Sequence, residues 1–247
     1  FNILYLGINQ KNNPALRDVR VREALAHAID RESLVRNQMP DGAEVASQFV
    51  PKTVDGYADD VQPITYDPDL ARRLLAEAGH PDLTVNFYYP TEVTRPYMPN
   101  PTNIFTAIAE NLRQVGVTVN PVPQPWNGGY VDSVTVNGVH DLHLLGWTGD
   151  YNDAGAFIAT FFGRSKPEFG ITDQALLQEV TSAEATVDPA QHVAAYQQVS
   201  RDLMTKYLPA VPLSSSPPAL VTSKDVSGLV PSPLTDERFY TVSKNKS

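Results

Sequence analysis

The chain has 247 residues, 42% of them hydrophobic and 19% charged, enough apolar material for a sizeable core in one large or two small domains. Its 28 acidic and 19 basic side chains give a formal net charge of −9, and no cluster of Lys and Arg along the sequence offers a surface for phosphate backbones, which argues against a nucleic-acid partner. Cysteine is absent, removing disulfides, thiolate metal sites and cysteine nucleophiles, and no run of about 18 apolar residues marks a membrane span.

Phe1 to Tyr5 lacks the charged start of a secretion signal, so any export signal is expected outside this sequence. Ile3 to Asn9 predicts a buried strand, followed by a polar loop to Asp18. From Val19 the period turns helical, with Val21, Leu25, Ala28 and Ile29 on one face and Arg20, Arg22 and Glu23 off it. Asp67-Pro68-Asp69 supplies a capping oxygen, a proline at the first helical position and an acid at the positive dipole end, ahead of a Leu70, Leu74, Leu75 and Ala78 stripe that Gly79 ends. Thr84 to Tyr89 alternates as a strand, and Ile104, Ile108, Leu112 and Val115 mark a third helix ended by Gly116. Val117-Thr118-Val119 reads as the next strand and Asp141 to Leu145 as another. Helices then run from about Asp173 to Ala185 and from Asp188-Pro189, the second turning Val193, Tyr196, Leu203 and Tyr207 inward. This alternation implies an α/β sheet whose ligand loops gather at one edge. After Pro209 the character changes: Val211 to Pro218 reads as a crossing linker, and the tail to Ser247 has no long periodic element.

The strand pattern around His143 breaks into Gly146-Trp147-Thr148-Gly149-Asp150-Tyr151-Asn152-Asp153. Glycines allow close approach of a ligand, Trp147 offers a flat apolar wall, and Asp150 is a fixed negative charge for a cationic group. A plainer reading of the same residues makes Asp153 a helix N-cap, Asp150 a solvated turn residue and Trp147 a core aromatic. Asp153 is assigned to the cap.

Gly-Trp-x-x-Asp-x-x-Asp followed by a short apolar helix resembles the extracellular solute-binding proteins of peptide ABC importers, family 5, and Gly146 to Asp150 is similar to their dipeptide-binding branch. The run Val19 to Arg31 also resembles a segment of that family whose role is structural, so Asp30 and Arg31 are given no ligand contact. The resemblance covers nearly the whole chain but corresponds to the later half of a family member. It implies a periplasmic-binding-protein-like type II α/β lobe, a mixed sheet flanked by helices. Residues 1–210 would form the C-terminal lobe, and residues 211–247 a crossing linker and tail returning to a first lobe. By the same resemblance Asp150 holds a peptide's α-ammonium group, and Trp147, with Gly146 and Thr148 beside it, lines the side-chain pocket. Ala154 stands where most relatives have proline, which bears on the start of the following helix.

The segment Thr94 to Pro101 resembles the loop whose arginine holds the ligand's terminal carboxylate, which assigns that role to Arg95 with Tyr97 as neighbour. A guanidinium fork meets two carboxylate oxygens at once. Trp126 matches an aromatic that walls the same pocket. The competing readings are a surface arginine on a proline-stiffened loop and a core or rim tryptophan. The implied function is a non-enzymatic, monomeric receptor without cofactor. It would capture short peptides, dipeptides above all, at the extracellular face of the membrane or in the periplasm, and deliver them to an ABC permease, with its signal or lipid anchor outside this sequence. Relatives that carry longer peptides, metal complexes or sugars keep other ligands open. A peptidase positioning an amine with Asp150 is the cross-class alternative, although Ser214, Ser215 and Ser216 have no histidine nearby in sequence.

His140 and His143 invite a metal reading, but on a strand residues three apart face opposite sides, so no joint ligation is expected. Asp59-Asp60 reads as a solvated acidic pair. The chain contains no His-Glu-x-x-His, Gly-x-Ser-x-Gly or phosphate-cradling glycine motif.

Overall fold

The computed structural model describes residues 1–217, 220–232 and 236–244. Its elements are β1 (Asn2–Ile8), α1 (Val19–Ala28), α2 (Arg31–Gln38), β2 (Glu44–Val45), α3 (Pro68–Glu77), β3 (Thr84–Thr91), α4 (Pro101–Gln114), β4 (Thr118–Pro125) and α5 (Tyr130–Asp132). There follow β5 (Leu142–Thr148), α6 (Ile158–Phe162), α7 (Gln174–Glu184), α8 (Pro189–Asp202), β6 (Ala210–Ser215), β7 (Val226–Ser227) and β8 (Ser243–Lys244). Short polar side chains start most of the long helices. Asp18, Asp30, Asp67, Asn100, Asp173 and Asp188 each accept a first-turn amide, satisfying a donor that no helical carbonyl can reach.

Six strands form one mixed sheet in the order β2-β6-β1-β5-β3-β4. Strands β5, β3 and β4 are parallel to one another, while β1 runs antiparallel to both β5 and β6. The ends of β3, β4, β5 and β6 therefore share one edge with the start of β1. Every residue of β1 is buried, as expected of a strand covered on both faces. A single core cluster includes β1, β5 and β6 together with residues of α1, α4 and α6 to α8.

Three proline-bearing segments depart from the sequence reading. Strand β4 runs on to Pro125, through Pro121 and Pro123; it is an edge strand, and prolines at alternate positions leave the donors facing β3 in place. Val211 to Ser215, expected within a crossing linker, lies in β6 between β2 and β1. Its Pro212 sits opposite Tyr5, where the β1 register shifts by a bulge. The Pro218 end of that segment and the last residues of the tail lie outside the described residues. Helix α2 was not anticipated: only Arg31 and Leu34 of its residues are buried, so it shows no apolar stripe. Among the described residues no helix is long and apolar enough to cross a membrane.

Candidate functional site

Strands β3, β4 and β5 end at Thr91, Pro125 and Thr148, and the loops that leave them carry Arg95, Trp126 and Asp150. Three separate segments thus deliver a cation, an aromatic and an anion to one edge of one sheet.

The Arg95 loop is a small turn closed in both directions, Arg95 N donating to Met98 O at 3.1 Å and Met98 N to Arg95 O at 2.9 Å. Closing it drives Tyr97 inward, where its ring covers Gly146. A Cβ at Gly146 would stand 2.2 Å from Tyr97 Cδ2 and 2.6 Å from Ile3 O, so only glycine fits. Burial raises the Tyr97 hydroxyl pKa, with the Arg95 charge opposing. Arg95 is half-buried, its guanidinium carbon 4.5 Å from the Trp126 ring centroid. Its Nε is buried without a hydrogen-bond partner among the described residues. Trp126 stacks on Tyr130 at 6.1 Å, and Tyr130 donates its hydroxyl hydrogen to Leu144 O on β5 at 2.5 Å. Burial pushes the Tyr130 phenol well above its ordinary range.

Beyond β5 the chain is held at several points. Gly149 N donates to Phe1 O at 3.0 Å, and the half-buried Trp147 donates from Nε1 to Ala156 O at 3.0 Å while meeting Phe161 edge-on. Thr148 pairs with Asn2. Asp153 Oδ1 accepts Gly155 N at 2.7 Å, the expected cap, on a 3₁₀ turn that precedes α6. Its Oδ2 lies 3.0 Å from His192 Nε2 on α8. Asn152 and Asp55 exchange two hydrogen bonds, at 3.2 and 3.3 Å. Asp150 is exposed, and its carboxylate makes no hydrogen bond or ion pair with any described residue.

Of the residues singled out from sequence, the structure brings Arg95, Tyr97, Trp126 and Gly146 into one packed group. Trp147 and Thr148 stand at the end of β5, and Asp150 lies just past it with no bond to Arg95. The braces Asp55 and His192 carried no sequence signal, since each acts across a long stretch of chain.

Two other expectations need correction. His140 and His143 do not face apart: their ring centroids are 4.3 Å from each other, because His140 precedes β5 and strand alternation does not apply to it. His143 Nε2 lies 3.0 Å from Glu168 Oε1, which also accepts the Tyr5 hydroxyl at 2.6 Å, and His140 Nε2 lies 2.9 Å from Glu168 O. Burial, aided by His143, lowers the His140 pKa to about 2. Among the described residues no group of three or more His, Asp or Glu could hold a metal ion. Asp60 is ion-paired rather than simply solvated, its oxygens meeting Arg201 Nε at 2.7 Å and Nη2 at 3.0 Å, and this bond lowers its pKa.

A dipeptide-binding protein of Escherichia coli K12 is 32% identical over 98% of this chain and 45% of its own length. A dipeptide-binding protein from Pseudoalteromonas sp. SM9913, solved with Met-Leu, superposes with a TM-score of 0.81 at 27% identity, over 99% of this chain and 48% of that one. HbpA2 from Haemophilus parasuis gives 0.84 at 28% identity, over 99% and 48%. The chain spans about half the length of the relatives it matches. The model of the bacterial extracellular solute-binding proteins, family 5 middle region, matches residues 1–169. With its mixed sheet, its helices and its sheet-edge loops, the chain belongs to the bacterial extracellular solute-binding proteins of family 5.

Proposed function

We propose that this chain is one lobe of a two-lobed receptor that captures short peptides, dipeptides first, outside the cell and passes them unchanged to an ABC permease. Residues 1–215 form the lobe, because β6 (Ala210–Ser215) is a strand of its sheet, and the chain beyond leads back toward a first lobe that supplies the opposite wall. Asp150 takes the ligand's ammonium group and Arg95 its carboxylate. Trp147, Trp126 and Tyr97 wall the space between, with Thr148 beside them; Gly146, expected from sequence to line it as well, is buried beneath the Tyr97 ring and serves by admitting that ring. One observation carries this reading. Arg95, with a buried Nε, and Asp150, with an exposed carboxylate, both without a hydrogen-bond partner among the described residues, rise from the ends of parallel strands on one sheet edge. The relatives named for dipeptides support the choice of ligand.

Each charge-assisted hydrogen bond contributes about 1.5–3 kcal/mol net, which corresponds to a loss of roughly tenfold to a hundredfold in affinity. In the full-length protein Asp150→Asn and Arg95→Gln should each weaken dipeptide binding by that factor in calorimetry, with the melting temperature nearly unchanged. N-acetylation of the dipeptide should abolish the effect of Asp150→Asn, and equal affinity for acetylated and free dipeptide would overturn the assignment. Two-lobed closure desolvates both charge pairs. The chain alone should therefore bind dipeptides at least a hundredfold more weakly than the full-length protein, and matching affinities would refute the two-lobe account.

A further inference from the structure

The opposite end of the sheet, where β1 ends and β6 begins, holds a concavity of about 1060 Å3 between the turn at Gln10 and Lys11, the 165–173 loop and the helical turn Leu203–Tyr207 that follows α8. Lys11, Arg17, Arg22, Lys166 and Lys206 line it against a single carboxylate, Asp173. A chain of net charge −9 thus contains a cavity of the opposite sign. Most of these cations are bonded only to neutral groups. Arg17 donates to the carbonyls of Gln10 and Lys11, Arg22 to those of Leu16, Arg17, Tyr207 and Leu208, and Lys166 to that of Thr160. Carbonyls satisfy N–H donors but leave the net charge in place. Among the described residues only Lys206 forms an ion pair with a carboxylate, Glu179 at 3.1 Å; Asp173, which caps α7, and Asp18 act on Arg22 through space. The Lys11 ammonium has no partner among the described residues.

The backbone around the cavity is built to hold this arrangement. Gly170, at φ +57°, lets the 165–173 loop close on Lys11, where an added Cβ would come within 2.8 Å of Lys11 Cβ. Leu208 adopts φ +40°, a conformation costly for a branched residue, and the buried Arg22 grips its carbonyl and that of Tyr207. Arg22 is 5% exposed, and its burial lowers its pKa to about 10. Burial also lowers the Lys166 ammonium, against the raising influence of Glu168.

From this placement we propose that the cavity binds a phosphate-type oxyanion, carried by a soluble phosphate or by a lipid headgroup. Cations converging from three chain segments match an anion with several oxygens and more than one charge, whereas a lone carboxylate would meet only part of the set. The test uses the full-length protein with two probes. One is inorganic phosphate, titrated by calorimetry; the other is vesicles of phosphatidylglycerol and phosphatidylcholine, compared by co-sedimentation with phosphatidylcholine alone. Wild type should bind at least one probe. Lys11→Gln should weaken binding severalfold, and the triple variant Lys11→Gln, Lys166→Gln, Lys206→Gln at least tenfold. The remote pair Lys52→Gln, Lys224→Gln, and separately Asp150→Asn, should leave it unchanged. Binding of free phosphate identifies a soluble source, and binding of the anionic vesicles alone identifies a headgroup. Because Lys11 is exposed and unbonded, its single variant decides the matter should the triple variant melt early. The proposal is overturned by a wild type that binds neither probe, by a Lys11→Gln variant with undiminished binding, or by the remote pair weakening binding as much as the triple variant does.

Discussion

At the scale of single residues, the contact between Gly146 and Tyr97 ties the two halves of the candidate site together. The Arg95 loop can sit on β5 only because position 146 carries no side chain. Gly146→Ala would force the Tyr97 ring and the Ile3 backbone apart, an overpacking cost of about 1–3 kcal/mol, readable as a lower urea midpoint. Tyr97→Ala should restore part of the loss in a double-mutant cycle, because it removes the clashing ring. These residues were legible in sequence as a motif and as a loop of distinctive composition. What the sequence did not show was that Tyr97 and Gly146 touch, since that contact depends on β3 and β5 being neighbours in the sheet.

At the scale of elements, the loop after β5 is stiff on one side and free on the other. Asp153 caps the turn before α6 and pairs with His192 of α8, which leaves Asp150 as the projecting charge. Asp153→Ala removes the cap and should cost about 1 kcal/mol. It should also speed amide exchange across residues 150–157 and weaken dipeptide binding by the full-length protein. Asp153→Asn, which can still cap, should recover most of the stability, and unchanged exchange in Asp153→Ala would show that the pair does not brace the loop. The long helices were legible because caps and apolar stripes are local features. Strand β4 was read short and β6 as a linker because proline is a breaker by default, and only an edge position or a bulge makes it tolerable. The brace partners were invisible for a different reason: Asp55 and Asn152 lie 97 positions apart, His192 and Asp153 39 apart.

Across the whole molecule, acid should destabilise the fold through His140. Its folded pKa of about 2 lies far below the value of about 6.5 usual for an unfolded chain. The unfolded state therefore binds the extra proton first. The stabilisation is complete above about pH 6.5 and declines as pH falls from there toward the folded value. Asp141, raised by burial, works with the opposite sign, so the comparison is best made between variants. His140→Gln should flatten the dependence of unfolding free energy on pH between about 6.5 and 4 relative to wild type, measured by urea denaturation at each pH. Parallel wild-type and variant curves would show that the imidazole is not kept neutral.

The chain contains two tryptophans, Trp126 and Trp147, and both stand at the edge that carries Arg95 and Asp150. Indole emission from this chain is in consequence a built-in optical reporter of that edge alone. A quench or spectral shift on adding a dipeptide would register occupancy there. An anion settling at the far end of the sheet, where no indole lines the cavity, would leave the spectrum dark to its arrival. Two ligands could thus be told apart in one cuvette without attaching any dye.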